Sequence, residues 1–512
     1  MPVPKPVLVP PSTTLRTAAA AVGMALGLAF GATAGAANGS PTVDPATQTD
    51  GRLMPCRLPG VEHDAQCGQV RRPLDPAQPG GPQVDIHFAV LPALARNRKP
   101  DPVFFFAGGP GQSAIDVAAT MSRVFARVSN RRDLVFVDQR GTGRSAPLAC
   151  ERPAPTRPLV EAVDPERQFA QLARCRERLQ ALPHGDLRRF TTWIAMQDVE
   201  AVRRALGAQK INLVGGSYGT RAALEYQRQF PQAVRRAVLD GVAPPDMVLP
   251  ASFSPDNQAA LEALFAGCAA DDACRSRHPT LPADWRRLLA SAPREATIVH
   301  PVTGAPERLT LTREALLGLV RGPLYVPALA AALPLAIDEA ANGRFEPLAG
   351  LSSALQGARA PVLAEGMHFS VVCSEDAPRL AQSADAPGAD FGSGFADLYR
   401  RVCADWPRGP VPDAFYALSA APAATLVLSG GADPATPPRH GERVVRSLGA
   451  KARHVVVPEA GHGLMALPCL RDVLFRFIDA EDDAAALAVD ADCARALPRP
   501  RVFVPVAAEG GR

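Results

Sequence analysis

A serine set among glycines is the sharpest chemical signal in the 512-residue sequence. Ser217 stands at the centre of the string GGSYG, residues 215–219, between the apolar run 211–214 and a helical pattern over 221–230. A G-x-S-x-G string between a strand and a helix is the turn that presents a nucleophilic serine. The helix start beyond it also favours negative charge that develops at the serine. The pattern therefore predicts that Ser217 is the nucleophile of an acyl transfer.

Ser217 would need a base and an orienting carboxylate, because a serine hydroxyl at its normal pKa is a weak nucleophile. Where this turn is used, the chain order is serine, acid and then histidine. Of nine histidines, three come late enough to serve: His440, His454 and His462. His454 begins a predicted strand and is expected to be structural, whereas His462 lies in a glycine-flanked loop directly after that strand. We predict that His462 is the base.

Two aspartates compete for the role of the orienting acid. Asp433 lies in the loop after the predicted penultimate strand, 425–428, from which its carboxylate would reach the far ring nitrogen of His462. Asp240 also ends a strand, but an earlier one. Either residue could instead be a turn or cap aspartate. We predict Asp433 as the acid and keep Asp240 as its rival.

A glycine-rich loop, AGGPGQS at residues 107–113, follows the apolar run 103–106. Acyl transfer needs hydrogen-bond donors for the tetrahedral oxyanion, and this loop would hold its amides at the sheet edge that carries Ser217. We predict the backbone N–H groups of Gly109 and Tyr218, the residue after the nucleophile, as the two donors. The loop lacks the Gly-Lys-Ser/Thr ending of a phosphate-binding loop.

The elements that must position these residues predict an α/β sheet. Short β-branched or aromatic runs are typical of buried parallel strands. Six such runs occur, at 103–106, 134–137, 211–214, 237–239, 425–428 and 454–457. Helical patterns lie between them, which indicates a mostly parallel sheet with helices on both faces. From about 245 to 422 the chain reads mostly helical and lacks strong strand runs, so we expect an insertion between the sixth and seventh strands.

Composition and charge exclude several classes of protein. The chain has 55 Lys and Arg against 51 Asp and Glu, a formal net charge of +4, so it is not a strongly basic nucleic-acid binder. With 47% hydrophobic residues it is too apolar for a disordered chain. After the N-terminus no run reaches the roughly 18 apolar residues that span a bilayer. We expect a soluble enzyme or binding protein with a sizeable core.

The N-terminus predicts export. Lys5 and Arg16 precede an apolar run, 18–30, that ends in small residues. This is the pattern of a secretory signal peptide, with cleavage after Ala34 or Ala36. The mature protein is therefore expected in the periplasm or the medium.

Ten cysteines agree with export, because an even count in an exported chain usually means disulfides. Connectivity does not follow from sequence, but the cysteines fall into pairs of near neighbours. The hypothesis is that these pairs are bonded: Cys56–Cys67, Cys150–Cys175, Cys268–Cys274, Cys373–Cys403 and Cys469–Cys493. Zinc is the competing interpretation, but the sequence has no C-x-x-C pair and no HExxH motif, so we expect no metal site.

Several strings together resemble the prolyl aminopeptidase family of α/β-hydrolases. They are GGPG at 108–111, DQRGTGRS at 138–145 and GGSYG at 215–219, and the second is the most discriminating because general esterases do not usually carry it. The late strings GGADPATP at 430–437 and GHG at 461–463 are similar to the secreted tripeptidyl-aminopeptidase branch of that family.

The resemblance covers about residues 50–495 and implies a serine exopeptidase with a helical cap over its site. Such an enzyme removes an N-terminal residue or a short peptide. One position departs from the family, whose H-G-G-P-G string often opens with His where this chain has Ala107. The donors in this loop are backbone amides, so we expect catalysis to survive the change.

An aminopeptidase must recognise a free ammonium group, which a shielded carboxylate can do. Within the insertion Glu375 and Asp376 follow Cys373, and the family has an acid shortly after this cysteine. The resemblance implies Glu375 as the first candidate for amine binding and Asp376 as the second, with a solvated acidic turn as the alternative. We expect Asp138 and Arg140 to pair locally and to hold the loop near the oxyanion site.

These inferences divide the chain into a signal peptide (1–36), an α/β-hydrolase core in two parts (37–244 and 423–512) and a helical cap (245–422). They imply an exported, monomeric serine aminopeptidase that acts on peptides with a free N-terminus and needs no cofactor. An exported esterase or lipase with the same triad is the nearest alternative, and it would not depend on a free amine. A catalytically dead hydrolase fold that binds a partner is the other alternative, against which the intact Ser, Asp and His argue.

Overall fold

The computed structural model describes residues 52–354 and 362–503, so the predicted signal peptide at 1–36 lies outside the described residues. The strands assigned within these ranges are β1 (Met54–Cys56), β2 (Ala65–Pro73), β3 (Gln83–Leu91), β4 (Val103–Phe106), β5 (Leu134–Val137), β6 (Ile211–Gly216), β7 (Val234–Asp240), β8 (Arg294–Val299), β9 (Pro306–Leu311), β10 (Thr425–Gly430) and β11 (Ala452–Val457). Nine of them form one sheet in the order β1-β2-β3-β5-β4-β6-β7-β10-β11, and β8 pairs with β9 alone.

Helices fill the connections between these strands. The α-helices are α1 (Ala118–Val124), α2 (Leu159–Ala162), α3 (Pro165–Gln180), α4 (Thr192–Ala205), α5 (Tyr218–Gln229), α6 (Leu249–Ala270), α7 (Asp272–Arg277), α8 (Leu281–Ala290), α9 (Arg313–Leu324), α10 (Pro327–Ala330), α11 (Leu333–Ala341), α12 (Glu346–Ser353), α13 (Glu365–Glu375), α14 (Gly394–Asp405), α15 (Pro438–Leu448), α16 (Pro468–Asp479) and α17 (Asp483–Leu487).

All six predicted strands are confirmed, and they lie side by side as the parallel part of the sheet, β5-β4-β6-β7-β10-β11. Successive side chains of a strand point to opposite faces. Phe104 and Phe106 of β4 accordingly pack into one hydrophobic cluster with α4 and α5, while Val103 and Phe105 pack into a second cluster with α1 and α16. Burial on both faces explains why these strands read as continuous apolar runs.

The strands at the N-terminal edge of the sheet are antiparallel, and the sequence analysis did not predict them. β1 pairs with β2, β2 with β3, and β3 with β5, all antiparallel. β2 carries mostly polar residues and is only partly buried, so it lacks the apolar run that marks the central strands. The three strands β1, β2 and β3 precede the four predicted runs that lie before the insertion, so the insertion follows the seventh strand of the large sheet instead of the predicted sixth.

The inserted stretch builds a hydrophobic core of its own, centred on the fully buried Trp285 and contributed by α6, α8, α9, α11 and α12. Its helices were predicted, but the hairpin β8–β9 corrects the expectation that the insertion lacks strands. The residues of β8 alternate between exposed and less exposed positions, so the hairpin offers no continuous apolar run to recognise. No helix within the described ranges is long and apolar enough to cross a membrane.

Five disulfides join the ten cysteines, and nearest-neighbour pairing is confirmed at every one. The bonded pairs are Cys56–Cys67, Cys150–Cys175, Cys268–Cys274, Cys373–Cys403 and Cys469–Cys493. The Cys373–Cys403 bond ties α13 to α14 inside the insertion, directly before Glu375.

Candidate active site

Ser217 occupies a strained turn between β6 and α5. Its backbone has φ 55° and ψ −126°, a conformation that non-glycine residues rarely adopt outside functional sites. The flanking glycines are required by close backbone contacts, because a Cβ on Gly215 would lie 2.4 Å from the carbonyl oxygen of Gly219, and one on Gly219 would lie 2.1 Å from that of Phe106. The turn presents Ser217 at the carboxyl end of the parallel strands, as a nucleophile elbow does.

His462 and Asp433 form a buried pair at the same sheet edge. The Nδ1 atom of His462 lies 2.8 Å from Oδ2 of Asp433, and the side chains are 1% and 0% exposed. Asp433 also accepts hydrogen bonds from the backbone N–H groups of Ala435 and Thr436, at 2.8 and 3.0 Å. The loop after β10 thus delivers the carboxylate that the sequence predicts for this position.

The charges of this pair support each other. Burial acts to raise the pKa of Asp433, but the charge of His462 and the hydrogen bonds outweigh it and hold the pKa below its ordinary value. Burial acts to lower the pKa of His462, but the Asp433 carboxylate outweighs it and raises the pKa above its ordinary value. Asp433 therefore stays ionised beside the imidazole, an arrangement that would stabilise a protonated His462.

The predicted nucleophile and base both lie against the end of β7. The backbone N–H of Ser217 donates to the carbonyl oxygen of Asp240 at 2.8 Å. The next residue, Gly241, has φ +66°, and a Cβ there would lie 3.2 Å from Cε1 of His462. The imidazole of His462 therefore packs against Gly241, and the residue before it, Asp240, is bonded to Ser217.

Asp240, the rival acid, has another role. Its carboxylate accepts hydrogen bonds from the backbone N–H groups of Leu464 and Met465 at 2.8 to 3.0 Å, so it holds the loop that carries His462. Burial raises the pKa of Asp240 to about 6 in spite of these bonds. Asp240 is a positioning residue for the base loop, and the imidazole bonds to Asp433.

Two further residues orient His462 and were missed by the sequence reasoning. The hydroxyl of Thr436 lies 2.8 Å from Oδ2 of Asp433 and 3.2 Å from Nδ1 of His462. The carbonyl oxygen of Tyr325, at the end of α9, accepts a hydrogen bond from the backbone N–H of His462 at 3.1 Å. The rings of Tyr325 and His462 lie edge-on, with their centres 5.4 Å apart. Thr436 could have been suspected from its place three residues after Asp433, but nothing local to Tyr325 points to a histidine 137 positions later.

The loop that carries one of the predicted oxyanion donors, Gly109, passes beside Ser217. A Cβ on Gly108 would lie 3.3 Å from that of Ser217, so the glycine-rich loop passes close to the nucleophile. Within the described residues, the backbone N–H groups of Gly109 and Tyr218 have no hydrogen-bond acceptor, whereas that of Gly108 donates to Oε1 of Gln112. Two free amides next to a nucleophile are what an oxyanion site requires.

Asp138 holds the oxyanion loop, as predicted, but Arg140 is not its partner. Asp138 accepts hydrogen bonds from Oγ of Ser113 at 2.7 Å and from the N–H of Ile115 at 3.1 Å. Arg140 instead forms a buried double hydrogen bond with Asp198 of α4, at 2.7 and 2.9 Å. Expecting a local pair was wrong, because Arg140 is bonded to a carboxylate on α4 instead.

Glu375 and Asp376 are fully buried and already bonded. Glu375 accepts hydrogen bonds from the N–H of Thr192 at 2.6 Å, from the Thr192 hydroxyl at 3.0 Å and from Arg221 at 3.3 Å. Asp376 forms a two-point ion pair with Arg221 at 2.9 and 3.1 Å. Burial raises the pKa of Glu375 to about 7, partly offset by the charge of Arg221. Amine binding by either acid stays a prediction, and a substrate would have to reach carboxylates with no exposed surface.

This acidic cluster supports the oxyanion donor residue. The Tyr218 hydroxyl shares a 2.6 Å hydrogen bond with the Thr192 hydroxyl, which also bonds Glu375. Arg221 lies one helical turn after Ser217 on α5. The cluster therefore anchors the first turn of the helix behind the nucleophile.

The remaining late histidines are structural. His454 bonds the hydroxyl of Ser429 on the neighbouring strand at 2.9 Å, as expected, and His440 bonds Asp256 of the insertion at 2.8 Å. No group of His, Cys, Asp and Glu within the described ranges is arranged to hold a metal ion.

Comparison with known proteins gives two family matches. Residues 101–290 match a family described as alpha/beta hydrolase fold, and residues 389–482 match one described as TAP-like protein. The first match contains the Ser217 turn and the glycine-rich loop, and the second contains Asp433 and His462. Both halves of the candidate site therefore lie within recognised hydrolase segments.

Individual relatives include peptidases and an esterase. A tripeptidyl aminopeptidase of Streptomyces lividans is 35% identical over 196 residues, which cover 35% of this chain and 36% of that protein. Serine protease Hip1 of Mycobacterium tuberculosis is 27% identical over 77% of this chain and 82% of that protein. Carboxylesterase B of the same organism is 31% identical over 75% of this chain and 78% of that protein. This chain thus matches about a third of the length of the Streptomyces enzyme.

Proposed function

Because the chain belongs to the tripeptidyl-aminopeptidase-like family of α/β-hydrolases, we propose that it is an exported serine aminopeptidase that releases an N-terminal residue or a short peptide. The observation that carries the proposal is the buried 2.8 Å pair of His462 and Asp433 at the sheet edge where the strained turn presents Ser217. The tripeptidyl aminopeptidases and the serine protease among its relatives support peptides as substrates.

The proposed reaction has two halves. Oγ of Ser217 attacks the scissile carbonyl carbon while His462 takes the hydroxyl proton, and the N–H groups of Gly109 and Tyr218 stabilise the oxyanion. His462 returns the proton to the leaving amine, which departs and leaves an acyl-enzyme. Water then attacks the ester and gives a proton to His462, which passes it to Oγ of Ser217 as the C–O bond breaks and the acyl peptide leaves as a carboxylic acid. Asp433 holds the imidazole in place throughout, and the residues require no cofactor.

We propose that residues 245–422 act as a cap between the two core parts, 37–244 and 423–512. The insertion contacts both sides of the site. Tyr325 touches His462, and Ala364 donates its N–H to the carbonyl oxygen of Gly111 in the oxyanion loop at 2.8 Å. Ser217 and His462 are only 6% exposed as whole residues, so substrates would be held beneath the insertion. Glu375 and Asp376 remain the proposed amine-binding acids.

Five disulfides support the proposal of export to the periplasm or the medium, because disulfides persist in oxidising compartments. The protein would act there as a monomer on peptides with a free N-terminus.

An esterase is the second candidate, and the carboxylesterase relative, 31% identical over most of both chains, favours it. The same triad and oxyanion donors would serve an ester. The two candidates differ in whether a free amine on the substrate matters.

Hydrolysis of a chromogenic panel by the purified mature protein separates them. The panel contains p-nitroanilides of one, two and three residues with a free amine, their N-acetylated forms, and p-nitrophenyl butyrate. Cleavage of the free-amine peptides alone supports the aminopeptidase, and the best length identifies the released fragment. Turnover of the ester alone, or indifference to acetylation, contradicts it. Ser217→Ala should abolish every activity, while the exposed Ser447→Ala should change none.

A further inference from the structure

Arg321 on α9 is a buried cation that has no counter-ion among the described residues. The residue is 5% exposed, and the one hydrogen bond that it forms among the described residues runs from Nη2 to the hydroxyl of Tyr325 at 3.2 Å. Its Nε is buried and has no acceptor. Other buried arginines are paired with carboxylates: Arg132 with Asp101, Arg140 with Asp198, and Arg221 with Asp376. Burying an unpaired charge is costly, so Arg321 is an exception that requires a reason.

Aromatic rings surround Arg321 but leave its donors unused. Its guanidinium carbon lies 4.8 Å from the ring centre of Phe395, 5.2 Å from that of Phe253 and 5.7 Å from that of Tyr325. Ring faces offset part of the cost of desolvating a cation. They accept no conventional hydrogen bond, and a guanidinium offers five N–H donors in a planar fork. Among the described residues the fork therefore has one acceptor, the Tyr325 hydroxyl, and its Nε is buried without any.

Arg321 lies near residues that contact both parts of the candidate site. It bonds Tyr325, whose ring and carbonyl contact His462. His368 lies within range of its charge, and Nδ1 of His368 lies 3.2 Å from the carbonyl oxygen of Pro110 in the oxyanion loop. Burial lowers the pKa of His368 to about 4, and the charge of Arg321 acts in the same direction. Arg321 is thus linked to His462 by contact through Tyr325, and its charge reaches the residue that bonds the oxyanion loop.

Two acids near Tyr325 are already engaged. Asp256 of α6 accepts hydrogen bonds from Arg439 at 2.6 Å and from His440 at 2.8 Å. Asp433 is bonded to His462. Within the described residues, the Tyr325 hydroxyl is therefore the one acceptor of the Arg321 side chain.

We propose that Arg321 is a substrate-binding residue that donates hydrogen bonds to a carbonyl or carboxylate oxygen on the acyl side of the scissile bond. The proposal rests on the proposed function, in which that part of the peptide lies over Ser217 beneath the insertion. A planar fork suits a carboxylate, which it can bind at two points, and it also serves a main-chain carbonyl.

The same charge restricts where the amine of the substrate can lie. A buried guanidinium repels an ammonium group nearby. Each extended residue moves the N-terminus by roughly 3.3–3.6 Å, so a di- or tripeptide carries its ammonium away from Arg321 more readily than a single residue does. The proposal therefore favours release of short peptides.

The test compares Arg321→Met, which keeps the length of the side chain and its packing against the rings, with Arg308→Met as the matched control. Arg308 belongs to the same insertion, and its side chain is 77% exposed. The substrates are free-amine tripeptidyl p-nitroanilides with Glu or Gln at each position in turn. Two esters, p-nitrophenyl butyrate and p-nitrophenyl hemisuccinate, differ in a terminal carboxylate. Labelling of Ser217 by a small fluorophosphonate reports the integrity of the catalytic site.

Arg321→Met should lose roughly 10- to 100-fold in kcat/KM on peptides, mostly through KM, as expected for a hydrogen bond to a charged group. Labelling and butyrate hydrolysis should stay within about twofold of the wild type. A larger loss on Glu than on Gln peptides identifies a carboxylate as the acceptor, and an equal loss identifies a main-chain carbonyl. Equal losses on peptides, butyrate and labelling overturn the proposal, as does an unchanged KM for peptides.

Two arms keep the outcomes separate. If the wild type cleaves no peptide, the proposed function fails, and the ratio of hemisuccinate to butyrate turnover in Arg321→Met still decides the role of Arg321. If Arg321→Met does not fold, the uncharged Arg321→Gln, which retains a donor for Tyr325, takes its place. An unchanged ratio and KM in that variant overturn the proposal.

Discussion

Arg221 and Arg321 are both buried guanidinium groups close to the catalytic residues, but their surroundings are opposite. Arg221 lies one turn behind Ser217 and is bonded to Glu375 and Asp376, neither of which is exposed. Arg321 lies in the insertion among aromatic rings with one neutral partner, Tyr325. The charge-paired cluster of Arg221 holds the helix behind Ser217 in place. The surroundings of Arg321 instead leave N–H donors for a group that arrives with the substrate. Nε is buried without an acceptor in both residues, so the difference between them is the counter-ion. A buried charge without its counter-ion is costly unless it is used.

The largest effect is expected from Asp433→Asn. The substitution leaves the shape of the side chain and removes the charge that orients His462 and stabilises its protonated form. We expect kcat to fall by about 10⁴-fold, as for the acid of other triads, with KM nearly unchanged. Steady-state kinetics on the preferred p-nitroanilide measures the effect. A loss below tenfold would mean that another acid, with Asp240 first in line, orients the base.

The comparison of the two arginines is tested most directly by their stabilities. Arg221→Met leaves Glu375 and Asp376 buried without a cation and should lower the free energy of unfolding by roughly 3–5 kcal/mol. Arg321→Met leaves no charge unpaired and should change it by less than about 1 kcal/mol. Urea unfolding of both variants, followed by tryptophan fluorescence, measures the difference. Similar losses in the two variants would show that Arg321 also stabilises the fold.

The pH dependence of kcat/KM sharpens the assignment of the base. His462 must be neutral to accept the proton of Ser217, and the Asp433 carboxylate raises its pKa above the ordinary 6.5. Activity should therefore be lost as pH falls through a midpoint above 6.5, by about tenfold for each pH unit below it. In Asp433→Asn the residual activity should show a midpoint at lower pH. A midpoint that does not move would contradict coupling between the two side chains.

The smallest effect is expected at Thr436, whose hydroxyl lies between Asp433 and His462. Thr436→Val keeps the shape and removes one hydrogen bond, so kcat should fall by roughly 2- to 10-fold. Thr436→Ser keeps the hydroxyl and serves as the control, with kcat close to that of the wild type. If Thr436→Ser loses as much as Thr436→Val, the methyl group rather than the hydroxyl supports the site.

Much of the catalytic geometry could be predicted because its signals are local. The strained turn at Ser217 needs glycines at 215 and 219, and the loops of Asp433 and His462 each follow directly on a strand with an apolar run. Parallel strands bring their carboxyl ends to one edge, so three distant loops could be placed together from their order alone. The disulfides were equally local, because each joins neighbouring cysteines.

The surroundings of the site could not be predicted, because they are contacts between residues far apart in the chain. Nothing near Glu375 in sequence indicates that Arg221 and Thr192 occupy its carboxylate, and the acidic pair looked free to bind an amine. The same holds for Tyr325 against His462. Such contacts depend on how the insertion folds back on the core, and the hydrophobic periodicity of the sequence does not indicate this.

The chain order, the apolar runs and the glycines thus sufficed for the parallel sheet and for Ser217, Asp433 and His462, since short-range sterics and strand direction leave few alternatives. Tertiary structure alone decided which charges are compensated. Whether a buried guanidinium has a carboxylate beside it, as Arg221 has and Arg321 has not, depends on side chains brought together from different elements. Electrostatic energy depends on distance in space and on burial, and neither quantity follows from the order of the residues.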